Sequence, residues 1–281
     1  MTTEHIGNLT GAISATDGGP LTRGLSTGLS GIDTMTQGLQ PGHLAVIASR
    51  PSMGRTTLLT SIVQCTSLGG APTLVVTLEE SAREFSTRLT CSVGRVGHYQ
   101  LQRGNVTEED RRRLAAARAR LAATPLLVCA DSSLTMEELA TQARAAVRDE
   151  DVRLIAVDGL TDIRPEKRHD LREREVGDIA RDLKTLAREL NVPILATTHL
   201  NRIPESRPDK RPKLDDLRES GAVTFAADWI VLLYRPDYYD RESPRSGEID
   251  LIVAKNRFGP LGCETAAVQF HYGRVIEMAQ A

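Results

Sequence analysis

Seven short apolar runs separated by polar or helix-patterned stretches leave this chain few architectures other than a wound α/β sheet. The runs are Leu44–Ser49, Thr73–Leu78, Leu126–Ala130, Leu154–Val157, Ile194–Thr198, Trp229–Tyr234 and Ile249–Ala254. Each is long enough for a buried strand and too short for a helix of ordinary length. Between them, Arg172–Leu190 places Val176, Ile179, Leu183, Leu186 and Leu190 at every third or fourth position, which predicts an amphipathic helix. Thr135 followed by Glu138 predicts a capping box that opens another. Residues 1 to 24 are rich in Thr, Ser and Gly without a hydrophobic period and read as a flexible tail, leaving one domain over 25–281. Asp209–Asp216 is polar and interrupted by Pro212, and predicts an exposed loop.

The 281 residues can bury a sizeable core without staples. Cys65, Cys91, Cys129 and Cys263 lie far apart with no C-x-x-C pair, which argues against a zinc site or a disulfide framework. No apolar run approaches a membrane span, and the first residues lack the features of a signal peptide, so no membrane and a cytoplasmic location are expected. A net charge of −2 excludes a polycation that coats nucleic acid, but not binding through a few basic loops. Only five of the 35 basic residues are lysines.

After the run Leu44–Ser49 come Arg50, Pro51, Ser52, Met53, Gly54, Arg55, Thr56 and Thr57, then the apolar stretch Leu58–Val63. Strand, small-residue loop and helix is the setting of a phosphate-binding loop, in which backbone N–H groups and a helix N-terminus surround an anion and a Thr hydroxyl reaches Mg²⁺. Against the pattern G-x-x-x-x-G-K-[ST], Ser49 replaces the first Gly and Arg55 the Lys, and alone the segment reads equally as an ordinary turn. Two strand-end acids extend it. Asp158 follows the run Leu154–Val157, where a carboxylate can hold Mg²⁺ through water, and Glu79 follows Leu78, where one can deprotonate an attacking water. Either acid alone could be a helix cap.

The chain as a whole resembles the C-terminal motor domain of the replicative helicase family DnaB. The resemblance spans roughly residues 25–277. It rests on Ser26-Thr27-Gly28-Leu29, Gly38-Leu39-Gln40-Pro41-Gly42, Arg50-Pro51-Ser52-Met53-Gly54, Leu78-Glu79 and Glu189-Leu190-Asn191-Val192-Pro193. Leu200-Asn201-Arg202, Asp209-Lys210-Arg211-Pro212, Asp216-Leu217-Arg218-Glu219-Ser220-Gly221 and Lys255-Asn256-Arg257 continue it in order. It implies an α/β, RecA-like P-loop NTPase with a central, mostly parallel twisted sheet flanked by helices. It further implies an ATP-dependent DNA helicase of replication that uses ATP and Mg²⁺, forms a homo-oligomeric, hexameric ring around single-stranded DNA, and meets other replication proteins. By the same resemblance the loop from Arg50 to Thr57 holds the nucleotide, with Thr56 and Asp158 on Mg²⁺. Glu79 is the catalytic base, and His199 stands where the family has a γ-phosphate-sensing Gln. Lys255 and Arg257 reach a neighbour's nucleotide, Arg257 as arginine finger, and Arg218, Glu219 and Gly221 contact the DNA strand. Read without the resemblance, Lys255 and Arg257 are two solvated charges, and the basic surplus over Arg202–Arg218 is a solvated loop.

Several positions depart from the family. Arg55 keeps the lysine's charge in a bulkier, planar, forked group. Gly159 and Thr161 replace an aromatic and an amide after Asp158, His199 replaces Gln, and with only a short tail ahead of residue 25 the family's helical N-terminal domain is expected to be missing. These departures keep two alternatives open: a nucleotide- and DNA-binding paralogue with little hydrolysis, and a RadA-like recombination ATPase, which the Lys255-Asn256-Arg257-Phe258-Gly259 string also resembles.

Overall fold

Alternating side chains along the first strand, β1 (Leu44–Ser49), set up two cores. Leu44, Val46 and Ala48 face one side of the sheet, Ala45 and Ile47 the other. The computed structural model describes residues 24–166, 169–217 and 221–278. Within them β1 is joined by β2 (Thr73–Thr77), β3 (Leu126–Ala130), β4 (Leu154–Asp158), β5 (Ile194–His199), β6 (Trp229–Tyr234), β7 (Glu248–Asn256), β8 (Gly262–Gln269) and β9 (Arg274–Glu277). They form one sheet in the order β3-β2-β4-β5-β1-β6-β7-β8-β9. Neighbours from β3 to β6 are parallel, and β7, β8 and β9 add antiparallel. The expected α/β architecture is present, and all seven apolar runs are strands.

Helices cover both faces, which is why the parallel strands read as continuous apolar runs rather than alternating ones. On one face lie α6 (Met136–Glu150), against β2, and α7 (Arg172–Leu190), against β1 and β5, with Leu139, Ala143, Ile179 and Leu183 in the core between. The capping box of Thr135 and Glu138 opens α6 as expected. The other face is covered by α1 (Ser30–Thr36), α2 (Arg55–Leu68) and α3 (Ala82–Gly94), with Leu58, Ile62, Phe85 and Leu89 turned inward. Short α4 (His98–Gln102) and the polar α5 (Glu108–Ala122) pack outside α3, and α8 (Gly221–Ala226) and α9 (Pro236–Tyr239) flank β6. No described helix is long and apolar enough to cross a membrane.

Two expectations change. The stretch Asp209–Asp216 is not a plain exposed loop: Asp216 is fully buried, its carboxylate taking both Nη groups of Arg207 and the N–H of Lys213. A charge can be buried there because a bidentate guanidinium and a backbone donor replace its water. The antiparallel β8 and β9 lie beyond the seven expected strands, since Gly262–Gln269 carries little beyond small and polar residues. Apart from Gly24, the stretch read as a tail lies outside the described residues, as do Arg218 and Glu219.

Candidate nucleotide site

Parallel pairing brings the sequence-distant candidates to one edge. Ser49 is in register with His199, and Thr77 with Asp158. The four adjacent strands β2, β4, β5 and β1 therefore end side by side, about 15 Å across at ordinary strand spacing. The carboxyl edge of a parallel sheet is where α/β proteins hold ligands. Glu79, Asp158, His199 and the 50–57 loop all lie along this edge.

The loop turns sharply at Ser52 (φ 65°) and Gly54 (φ 101°). Met53, buried beneath it, anchors the turn in the core. The 14-residue α2 then starts at Arg55 with no side chain capping it, so its first N–H groups have no side-chain acceptor. Gly54 also has a close neighbour: a Cβ there would stand 3.0 Å from Phe270 Cε1.

Arg55 is only 7% exposed. Its Nη2 donates to Glu79 Oε1 at 3.1 Å and lies 3.0 Å from His199 Nε2. A guanidinium has only donors, so in this contact Nε2 is the accepting atom, and it also lies 3.8 Å from Glu79 Oε1. Burial pushes the Glu79 carboxyl above the usual carboxylate range, against the pull of Arg55, while burial lowers Arg55. Asp162 is also pushed up by burial. Two positions that depart from the family, 55 and 199, are thus in direct contact, a relation no linear pattern displays. A double-mutant cycle of Arg55→Lys and His199→Gln, followed by urea unfolding without nucleotide, should show a coupling of about 1 kcal/mol. Strict additivity would mean that the two side chains do not interact.

The residues fit a magnesium nucleotide. Arg55 Nη1 is a buried cationic donor, and Asp158 Oδ2 a buried carboxylate oxygen, each without a protein partner. Asp158 Oδ1 is already used, accepting from Thr197 Oγ1 at 2.7 Å. Leaving such groups unpaired costs about 1–3 kcal/mol each, and an anion and a cation are what would pair them. No cluster of three or more His, Cys, Asp or Glu poised for a metal exists among the described residues. Magnesium bound mainly by phosphates and water needs only one or two carboxylates. Gly159 also has its reason here: φ is 102°, and a Cβ would meet Asp162 Oδ2 at 2.6 Å.

Other candidates lie elsewhere. The Arg50 guanidinium is engaged by Glu205 at 2.8 Å and by the Leu200 carbonyl at 3.0 Å. Because β7 runs antiparallel, Lys255 and Arg257 stand at the amino edge of the sheet, about 20 Å from their own loop by strand length. Lys255 Nζ donates to the carbonyls of Thr224 and Ala227 at the end of α8. Arg257 is 62% exposed, with Nη1 3.9 Å from Asp228 Oδ1. Gly221 is the first residue of α8. Sequence reasoning missed Arg235 and Phe270, which flank the loop. Arg235 Nη1 donates to the Ser52 carbonyl at 3.2 Å, and its guanidinium lies 4.2 Å from the Phe270 ring centre. Phe270 is one of only four phenylalanines, the one signal that could have singled it out.

Comparison with known proteins agrees with this geometry. The family model of the DnaB-like helicase C-terminal domain matches residues 24–276. The chain is 37% identical to the replicative DNA helicase DnaB of Leifsonia xyli subsp. xyli, over 91% of this chain and 56% of that protein. It is 34% identical to the replicative DNA helicase DnaC of Bacillus subtilis, over 91% and 57%. It therefore spans a little over half the length of these relatives. A solved structure described as an ATPase domain superposes with a TM-score of 0.90 at 31% identity, covering 97% of each chain. A solved DnaB-like replicative helicase, described with its interactions with primase, gives 0.91 at 31% identity, over 99% of this chain and 68% of that one. The chain belongs to the DnaB-like helicase C-terminal domain family.

Proposed function

We propose that this chain is the ATP-hydrolysing motor of a DNA helicase of replication, assembled as a hexameric ring on single-stranded DNA. The observation that carries the reading is the convergence of the 50–57 loop, Glu79, Asp158 and His199 on one sheet edge, with a buried donor and a buried acceptor left unpaired between them. The N–H groups that open α2 hold the phosphates, and Arg55 supplies the cation of the missing lysine. Magnesium, when bound at Thr56 and Asp158, supplies charge neutralisation of the phosphate oxygens. Glu79 accepts the proton of the attacking water, and His199 fixes the guanidinium beside it. Arg257 serves a neighbouring subunit's nucleotide, with Lys255 holding the end of α8 beside it. Arg218, Glu219 and Gly221 contact the DNA strand.

One observation favours a second reading, a binding module with little turnover. The cation intended for phosphate, Arg55, is paired with the base itself. The two readings separate in one experiment: purified protein, ATP, Mg²⁺ and single-stranded DNA, with phosphate release followed over time. DNA-stimulated release supports the motor; saturable ATP binding without release supports the module.

A further inference from the structure

The exposed Arg257 has a buried carboxylate beneath it that does not capture it. Asp228 is 1% exposed and immediately precedes β6. Its Oδ2 accepts from the Leu44 N–H at 2.8 Å and from Lys184 Nζ at 2.6 Å. Lys184, on α7, also donates to the Gly42 carbonyl at 2.7 Å, which fixes the ammonium between two elements. The Asp228 carbonyl accepts from the Arg257 N–H at 2.8 Å, so the backbone of the finger is held directly against the acid. Yet the Arg257 guanidinium comes no nearer than 3.9 Å to Oδ1 and stays mostly in solvent, over the Phe258 ring. A bare carboxylate this close to an arginine should close into a short bidentate fork. Here Lys184 has already supplied the opposite charge.

We infer that Lys184 is a positioning residue for Arg257: by neutralising Asp228 it keeps the guanidinium from folding back and leaves it free for a neighbouring subunit's phosphate. The cleft of about 450 Å³ between His43, Lys184, Arg188, Arg257 and Phe258 gives the guanidinium room to choose between the two partners. The inference rests on the reading of Arg257 as a finger supplied in trans. It adds a predicted sign: removing Lys184 should harm the assembled enzyme only while Asp228 keeps its charge.

The test is steady-state ATP turnover of the assembled full chain with single-stranded DNA, for Lys184→Gln, Asp228→Asn, the double variant and Arg257→Ala. Lys184→Gln should lower kcat about tenfold with KM for ATP nearly unchanged, as expected if nine fingers in ten are captured. Asp228→Asn, which keeps an oxygen acceptor for the Leu44 N–H, should stay within about twofold of the parent, and adding it to Lys184→Gln should restore turnover. Should Lys184→Gln fail to fold by circular dichroism, Asp228→Asn alone still decides: loss of kcat comparable to Arg257→Ala overturns the inference. An unchanged kcat in Lys184→Gln, or a double variant no better than it, also overturns it. Full turnover in Arg257→Ala instead removes the shared-site reading itself, and the inference with it.

Discussion

Glu79→Gln is expected to abolish ATP turnover, by about 10²–10⁴-fold, while nucleotide binding survives. Glu79 lies just beyond β2, half-buried, and burial raises its affinity for a proton, as suits a base that must take one from water. Glutamine preserves size and polarity but cannot accept that proton. It also ends the ion pair with Arg55, so the guanidinium is released toward an incoming phosphate. Equilibrium titration with a fluorescent nucleotide should therefore show affinity equal to or tighter than the parent, alongside the lost phosphate release. Turnover within tenfold of the parent would remove Glu79 from the chemistry.

Arg257→Ala should lower turnover by about 10³–10⁵-fold, the usual worth of a finger that stabilises charge on a transferring phosphoryl group. Its own loop lies at the opposite edge of the sheet, so the substitution leaves intact every group on which ATP is proposed to rest. ATP affinity should accordingly change little, and unfolding midpoints should match the parent, since the side chain is mostly in solvent. An equal loss of binding and turnover would instead indicate damage to the fold at the base of β7.

The strands were legible because burial on both faces forces long apolar runs, as in Leu154–Val157 and Trp229–Tyr234. The candidate nucleotide edge was legible for a related reason: the parallel strands β2, β4 and β1 deliver their carboxyl ends together, so Glu79 and Asp158 could be grouped with the 50–57 loop before any coordinates, while His199 joined them only through the family resemblance. What sequence could not show was pairing between side chains far apart in the chain. Arg55 and His199 read as two separate departures, and only the structure joins them through one nitrogen. Asp216 read as solvated because its partner Arg207 lies nine residues back, and a charge pattern cannot distinguish a buried fork from an exposed loop. The β8 strand stayed hidden because its place depends on β7 and β9 rather than on its own composition.

Mixing the two inactive variants tests most directly whether the site is completed across a subunit boundary. Glu79→Gln subunits retain Arg257, and Arg257→Ala subunits retain Glu79. In a mixed assembly, an Arg257→Ala subunit therefore receives a finger from a Glu79→Gln neighbour. Phosphate release is measured across mixing ratios, with mixed assemblies verified by native mass. Activity should appear where neither variant alone has any, and should peak at intermediate ratios. Mixed assemblies that remain as inactive as their parents at every ratio would contradict a shared site.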